Sequence, residues 1–115
     1  MKVRGSTPSL AGPMLLARLA ALANPHRMRI VAALAVNGRN YVSQLAREVG
    51  ISRPLLHLHL KRLQDSGLVT SRLELSGDGK ALNYFDFTDF AITLTPQTIA
   101  GAAPSLDAAT TIPRH

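Results

Sequence analysis

The chain has 115 residues, of which 46% are hydrophobic, and a formal charge of +6, so it has room for one domain with a modest core. It contains no cysteine, which excludes a disulfide framework, a thiolate metal site and a cysteine nucleophile; no apolar run approaches the ~20 residues of a membrane span, and residues 1–13 lack the apolar stretch of a secretory signal, so the expected setting is cytoplasmic with no membrane partner. Lys and Arg outnumber Asp and Glu twelve to four over residues 1–80, but are outnumbered three to one over residues 81–115, and a basic lobe of this kind points to a polyanion partner.

Residues 1–12 hold Gly, Ser and Pro without periodicity and are expected to form a flexible N-terminal arm. Pro13 opens an apolar helix running to Ala23. Asn24-Pro25 is a cap followed by a first-position proline, and it starts a second helix over about Pro25 to Val36, which Asn37-Gly38 stops. A short third helix is expected from Val42 to Val49, ended by Gly50. Ile51 turns inward and Ser52 caps a fourth helix from Arg53 to about Ser66, with Pro54 in its first turn. Gly67 closes it.

The apolar period then changes from helical to alternating. Leu68 to Leu75 reads as a strand with Val69, Leu73 and Leu75 inward, Ser76-Gly77-Asp78-Gly79-Lys80 as a hairpin turn, and Ala81 to Phe87 as the return strand. The apolar residues shift phase between Phe85/Phe87 and Phe90/Ile92/Leu94, which predicts a bulge near Thr88-Asp89 or two separate strands. Thr95 and Pro96 start a short last helix ending near Gly101. Residues 102–115 show no pattern and are expected to be a mobile tail. The resulting fold class is α+β, mainly α: four helices, a β-hairpin wing and a short C-terminal helix, with one domain over residues 13–101. The third and fourth helices, joined only by Gly50-Ile51-Ser52, form a helix-turn-helix.

At about 100° per residue, Arg53, His57, Lys61 and Gln64 fall within a sector of the fourth helix roughly 80° wide. Each can donate a hydrogen bond and none is acidic. That is the chemistry needed to reach base edges and phosphates in a major groove, and a plain solvated face would show mixed signs. Ser52 at the helix start, Arg47 on the third helix, and Arg72 and Lys80 on the hairpin complete the expected DNA-binding set. Arg27 and Arg29, near the start of the second helix, are read as backbone contacts or ordinary surface.

Two segments match a known family. Leu22 to Leu34, LANPHRMRIVAAL, resembles the LADPTRLRIL helix of ArsR/SmtB-type transcriptional regulators, and Val42 to Val69, VSQLAREVGISRPLLHLHLKRLQDSGLV, resembles their helix-turn-helix. The resemblance covers residues 14–87. It implies a winged-helix homodimer that binds a palindromic double-stranded DNA operator and pairs through its first and last helices. Many members sense metals through a Cys-Val-Cys box, where this chain has Tyr41-Val42-Ser43. Others use ligands on a long last helix, where this chain has a short helix and no histidine over residues 87–104.

His57 and His59 lie about 200° apart on a helix and cannot chelate one ion. His59 is expected to pack against the core and His57 to contact a base or phosphate. A site across a dimer using His26 or groups of the tail, such as His115, would suit nickel or zinc as an effector; no cofactor is otherwise required. The alternative to DNA recognition is a co-regulator module that docks a partner protein. No carboxylate pair, phosphate-cradling loop or nucleophile–base spacing suggests an enzyme, and Ser76 to Gly79 is not a P-loop, because no helix follows it.

Overall fold

The computed structural model describes residues 10–106. In chain order the elements are α1 (Gly12–Leu22), α2 (Pro25–Asn37), β1 (Asn40–Tyr41), α3 (Val42–Val49), α4 (Arg53–Asp65), β2 (Val69–Leu75), β3 (Ala81–Phe87) and α5 (Pro96–Ala102), followed by a 3-10 turn, Ala103–Ser105. This is the mainly helical winged helix-turn-helix expected from the sequence.

Capping chemistry sets the helix starts. The Asn24 carboxamide oxygen accepts from the backbone N–H of His26 at 2.9 Å and of Arg27 at 3.2 Å. The Ser52 hydroxyl accepts from Leu55 N–H at 3.3 Å. Thr95 and Thr98 cap α5 reciprocally. Side-chain caps of this kind contribute about 1 kcal/mol each. Gly50 ends α3 in the left-handed region, at φ 81°, with its N–H on the Ala46 carbonyl at 2.8 Å. That conformation is strained for residues with a Cβ, and it turns the chain from α3 into α4 within three residues.

The core joins Ile30 and Leu34 of α2, Leu45 of α3, Leu56, Leu60 and Leu63 of α4, and Leu68, Val69 and Phe85. Full burial of such side chains stabilises by roughly 1.5–3 kcal/mol each. It fixes the inner side of α4 against the rest of the molecule. The sheet is antiparallel in the order β1-β3-β2, with Asn40 opposite Phe85 and β2 paired to β3 from Val69–Phe87 to Leu75–Ala81. β1 is an addition to the expected elements.

The structure corrects four other expectations. Leu73 and Leu75 do not point into a core: they are 68% and 78% exposed, because the hairpin extends past the body that covers Val69 at its base. Residues 88–95 form neither a bulge nor a further strand. Instead Thr88 ties the end of β3 to Gly67, and Phe90 N–H bonds back to the Thr88 carbonyl at 2.8 Å in a tight turn, leaving Phe90 packed against the core. Arg27 is not at the surface, being 2% exposed.

Finally, residues 102–106 pack with α1 instead of starting a tail. Gly12 N–H donates to the Ser105 hydroxyl at 2.6 Å, and a Cβ on Gly12 would lie 2.7 Å from both the Ala102 carbonyl oxygen and the Leu106 side chain. Gly12, expected in the arm, is therefore the buried first residue of α1. The remainder of the arm before residue 10, and of the tail from residue 107 with His115, lies outside the described residues. Among those described, no helix is long and apolar enough to cross a membrane.

Candidate nucleic-acid interface

The periodicity of α4 divides it into two sides. Leu56, His59, Leu60 and Leu63 are buried and occupy an arc of about 100° on the helix. The residues facing farthest from that arc are Pro54, Leu58, Lys61 and Asp65. Arg53, His57 and Gln64 lie on the flank nearer the wing, and the Gln64 side-chain N–H donates to the Ser71 hydroxyl of β2 at 3.0 Å. Arg53, His57, Lys61 and Gln64 are all exposed, as are Ser52, Arg47, Arg72 and Lys80.

These eight residues do not form one cluster. Arg47, Ser52 and Arg53 line a shallow open depression at the helix-turn-helix corner, together with Ser43, Gly50 and Ile51. Arg47 also donates to the Gln44 carboxamide oxygen. The Ser52 oxygen serves as the α4 cap and its O–H remains available to donate. Lys61 pairs with Asp65 at 3.3 Å, one turn along α4, so the one acid of this helix lies beside the donor stripe at its C-terminal end.

The wing residues have acidic neighbours too. Side chains alternate across a strand, so Arg72 lies on the opposite face of the hairpin from Ser71. It lines a depression with Arg39, Thr70, Glu74, Tyr84 and Asp86, which Ser71 and Phe85 also border. Arg39 pairs with Glu74 at 2.6 Å and its guanidinium lies 4.6 Å from the Tyr84 ring centre. The hydrogen bond to Glu74 and the charge of that carboxylate raise the Arg39 pKa. At the hairpin tip the Ser76 hydroxyl and the Lys80 backbone N–H both donate to Asp78. These bonds, the serine's first, hold the Asp78 carboxyl below the usual range, so an ionised carboxylate sits at the hairpin tip two residues from Lys80.

A buried polar clamp fixes α4 from below. Arg27 Nε donates to the Ala21 carbonyl at 2.5 Å, Nη2 to the Ala20 carbonyl at 3.3 Å, and Nη1 lies 3.2 Å from His59 Nδ1. A guanidinium has no acceptor, so Nδ1 accepts and the neutral His59 ring carries its proton on Nε2. Desolvation, and then the nearby charge of Arg62, lower the Arg27 pKa. The clamp joins the end of α1, the start of α2 and the buried side of α4. At the far end of α4, Arg18 Nε donates to the Ser66 carbonyl at 3.1 Å. A signal for the burial of Arg27 was present in the sequence: it shares its helical phase with Ile30 and Leu34, at i+3 and i+7.

The metal-sensing role that the family resemblance implies finds no matching donor set among the described residues. Tyr41-Val42-Ser43 at the start of α3 supplies no thiolate, and among the described residues no three His, Asp or Glu side chains come together as ligands. His26 packs its ring 5.4 Å from that of His59. Within one chain, the described residues therefore offer no ligand set for nickel or zinc.

Residues 22–72 match a helix-turn-helix domain family; that stretch includes every candidate contact named above except Lys80. An uncharacterised HTH-type transcriptional regulator of Methanocaldococcus jannaschii is 42% identical over 57 residues, covering 50% of this chain and 59% of that protein. Among solved structures, the homodimeric winged helix-turn-helix DNA-binding domain of Mb0332 from Mycobacterium bovis, a possible ArsR-family transcriptional regulator, has 28% identity and a TM-score of 0.56, over 64% of this chain and 63% of that one. The transcriptional regulator HlyU of Vibrio vulnificus has 26% identity and a TM-score of 0.53, over 78% and 81% of the two chains. The chain thus spans about three-fifths of the length of the first two of these proteins.

Proposed function

We propose that this chain, a winged helix-turn-helix of the ArsR-like regulator type, acts as a homodimer that binds a specific double-stranded DNA operator and regulates transcription. The observation that carries this reading is the outer edge of α4. Arg53, His57, Lys61 and Gln64 are exposed along it while the opposite side of the same helix is sealed in the core. In helix-turn-helix docking, the N-terminal part of the second helix reaches base edges, which assigns Arg53 and His57 to base readout. An arginine there offers a bidentate match to guanine O6 and N7. Lys61 and Gln64, farther along, and Arg47, across the corner, are placed to hold phosphates; Ser52 adds a hydroxyl donor at the same corner. Lys80 and Arg72 add backbone contacts from the wing, weakened by the neighbouring Asp78 and Glu74 carboxylates.

Dimerisation rests on the other end of the molecule. α1 packs beside α5 and the 3-10 turn, and Met14, Leu94, Ile99 and Leu106 remain exposed there. An isologous pairing of these surfaces covers them and presents two α4 helices related by a two-fold axis, which requires a palindromic operator. The related Mb0332 domain is homodimeric.

A second reading, a co-regulator that docks a partner protein, is favoured by the exposed Leu73 and Leu75 of the wing. Fluorescence anisotropy on a duplex from the gene's own promoter region, with random duplex as competitor, separates the two. The regulator reading predicts binding that random duplex displaces poorly. Equal affinity for both duplexes overturns specificity, and no binding even at low salt favours the protein partner.

A further inference from the structure

Leu58 is 67% exposed and lies on the outermost line of α4, one turn after Pro54 and one turn before Lys61. It did not belong to the donor stripe read from the sequence. A single exposed leucine is ordinary on most surfaces. This one stands in the N-terminal half of the helix, faces away from the buried Leu56, His59, Leu60 and Leu63, and has Pro54 and Lys61 as its neighbours one turn away, with the exposed Arg53 and His57 on the adjoining flank. The charges of Arg53 and Lys61 draw this side of the helix toward a polyanion, and a duplex that accepts α4 in its major groove covers Leu58 before it covers Arg53 or Gln64.

The floor of that groove limits what a leucine can meet. Guanine, adenine and cytosine present hydrogen-bonding acceptors or donors there, and thymine alone adds an apolar group, its C5-methyl. A leucine pressed against a polar base edge strips water from it and returns no hydrogen bond, which is unfavourable. Pressed against a thymine methyl, it buries apolar surface on both sides.

We propose that Leu58 is a specificity-determining residue that selects thymine at one position of each operator half-site through contact with its methyl group. The inference rests on α4 being the groove-entering helix, and its test separates the two claims. An operator is selected from a randomised duplex library with the full chain. Each thymine is then replaced in turn by deoxyuridine, which removes only the methyl, and binding is measured for the wild type and for Leu58→Ala.

One thymine per half-site should weaken wild-type binding about fourfold on losing its methyl, the worth of one buried carbon, and the same replacement should leave Leu58→Ala unaffected. Leu58→Gln should move the preferred base at that position to adenine. Selective binding without any Leu58-dependent methyl effect overturns the assignment of Leu58 alone. Failure to select any duplex overturns the DNA reading and this inference with it.

Discussion

The two sides of α4 carry opposite chemistry within thirteen residues. The inner side is apolar except for His59, which is buried beside the Arg27 guanidinium. The outer side carries Arg53, His57, Lys61 and Asp65, and its one large apolar side chain is Leu58, exposed beside Lys61. Each exception falls where its side's chemistry would have predicted the other kind of residue. The inner one serves position: His59 accepts from Arg27 and so ties α4 to α1 and α2. The outer one serves recognition, because nothing in the described chain gives Leu58 a packing role. Substitutions on the two sides should therefore separate cleanly into losses of folding and losses of binding.

Leu60→Ala on the inner side should have the largest effect, about 2–5 kcal/mol of unfolding free energy by denaturant titration, through lost burial and a cavity. A cost under 1 kcal/mol would mean that α4 is loosely seated. Arg27→Met retains much of the volume but removes the donors to His59 and to the Ala20 and Ala21 carbonyls, and should cost about 1–3 kcal/mol. Stability equal to the wild type would show that the clamp contributes nothing net.

Arg53→Ala on the outer side should leave unfolding within about 0.5 kcal/mol of the wild type and cost about 1–3 kcal/mol of DNA binding, concentrated at one base position. A uniform loss over all sequences would make Arg53 a phosphate contact instead. Lys80→Ala should produce the smallest change, a similar weakening for every duplex with the salt slope reduced by about one unit. An unchanged slope would mean that Asp78 already occupies its charge.

The helices were legible because their starts are written locally. Asn24-Pro25, Ser52 ahead of Pro54, and Thr95-Pro96 each supply a cap and a first-turn proline, and the structure places α2, α4 and α5 from them. The exposure of Arg53, His57, Lys61 and Gln64 followed from helical phase alone. Other features depended on tertiary distance. β1 is two residues long and too short to show a period. Leu73 and Leu75 alternate as a buried strand does, but whether the body reaches that far along the hairpin is not written in the strand. Phe90 is apolar because it closes the core from a turn, and strand logic misassigned its phase. Arg27 was misread because charge was weighed above phase. Leu58 was passed over because it resembles its buried neighbours, and only its angle, opposite Leu60 and Leu63, sets it apart.

The central claim is that the outer edge of α4 enters a major groove, and the absence of native cysteine allows a direct test. A single thiol is introduced as His57→Cys, or as Ala32→Cys on the exposed side of α2 for comparison, and each protein is mixed with operator duplex bearing a thiol tethered to a cytosine N4 in the major groove. The account predicts a disulfide cross-link from the first variant at one defined position per half-site and none from the second. Cross-linking from the second variant alone, or none from the first on duplex that it demonstrably binds, contradicts it.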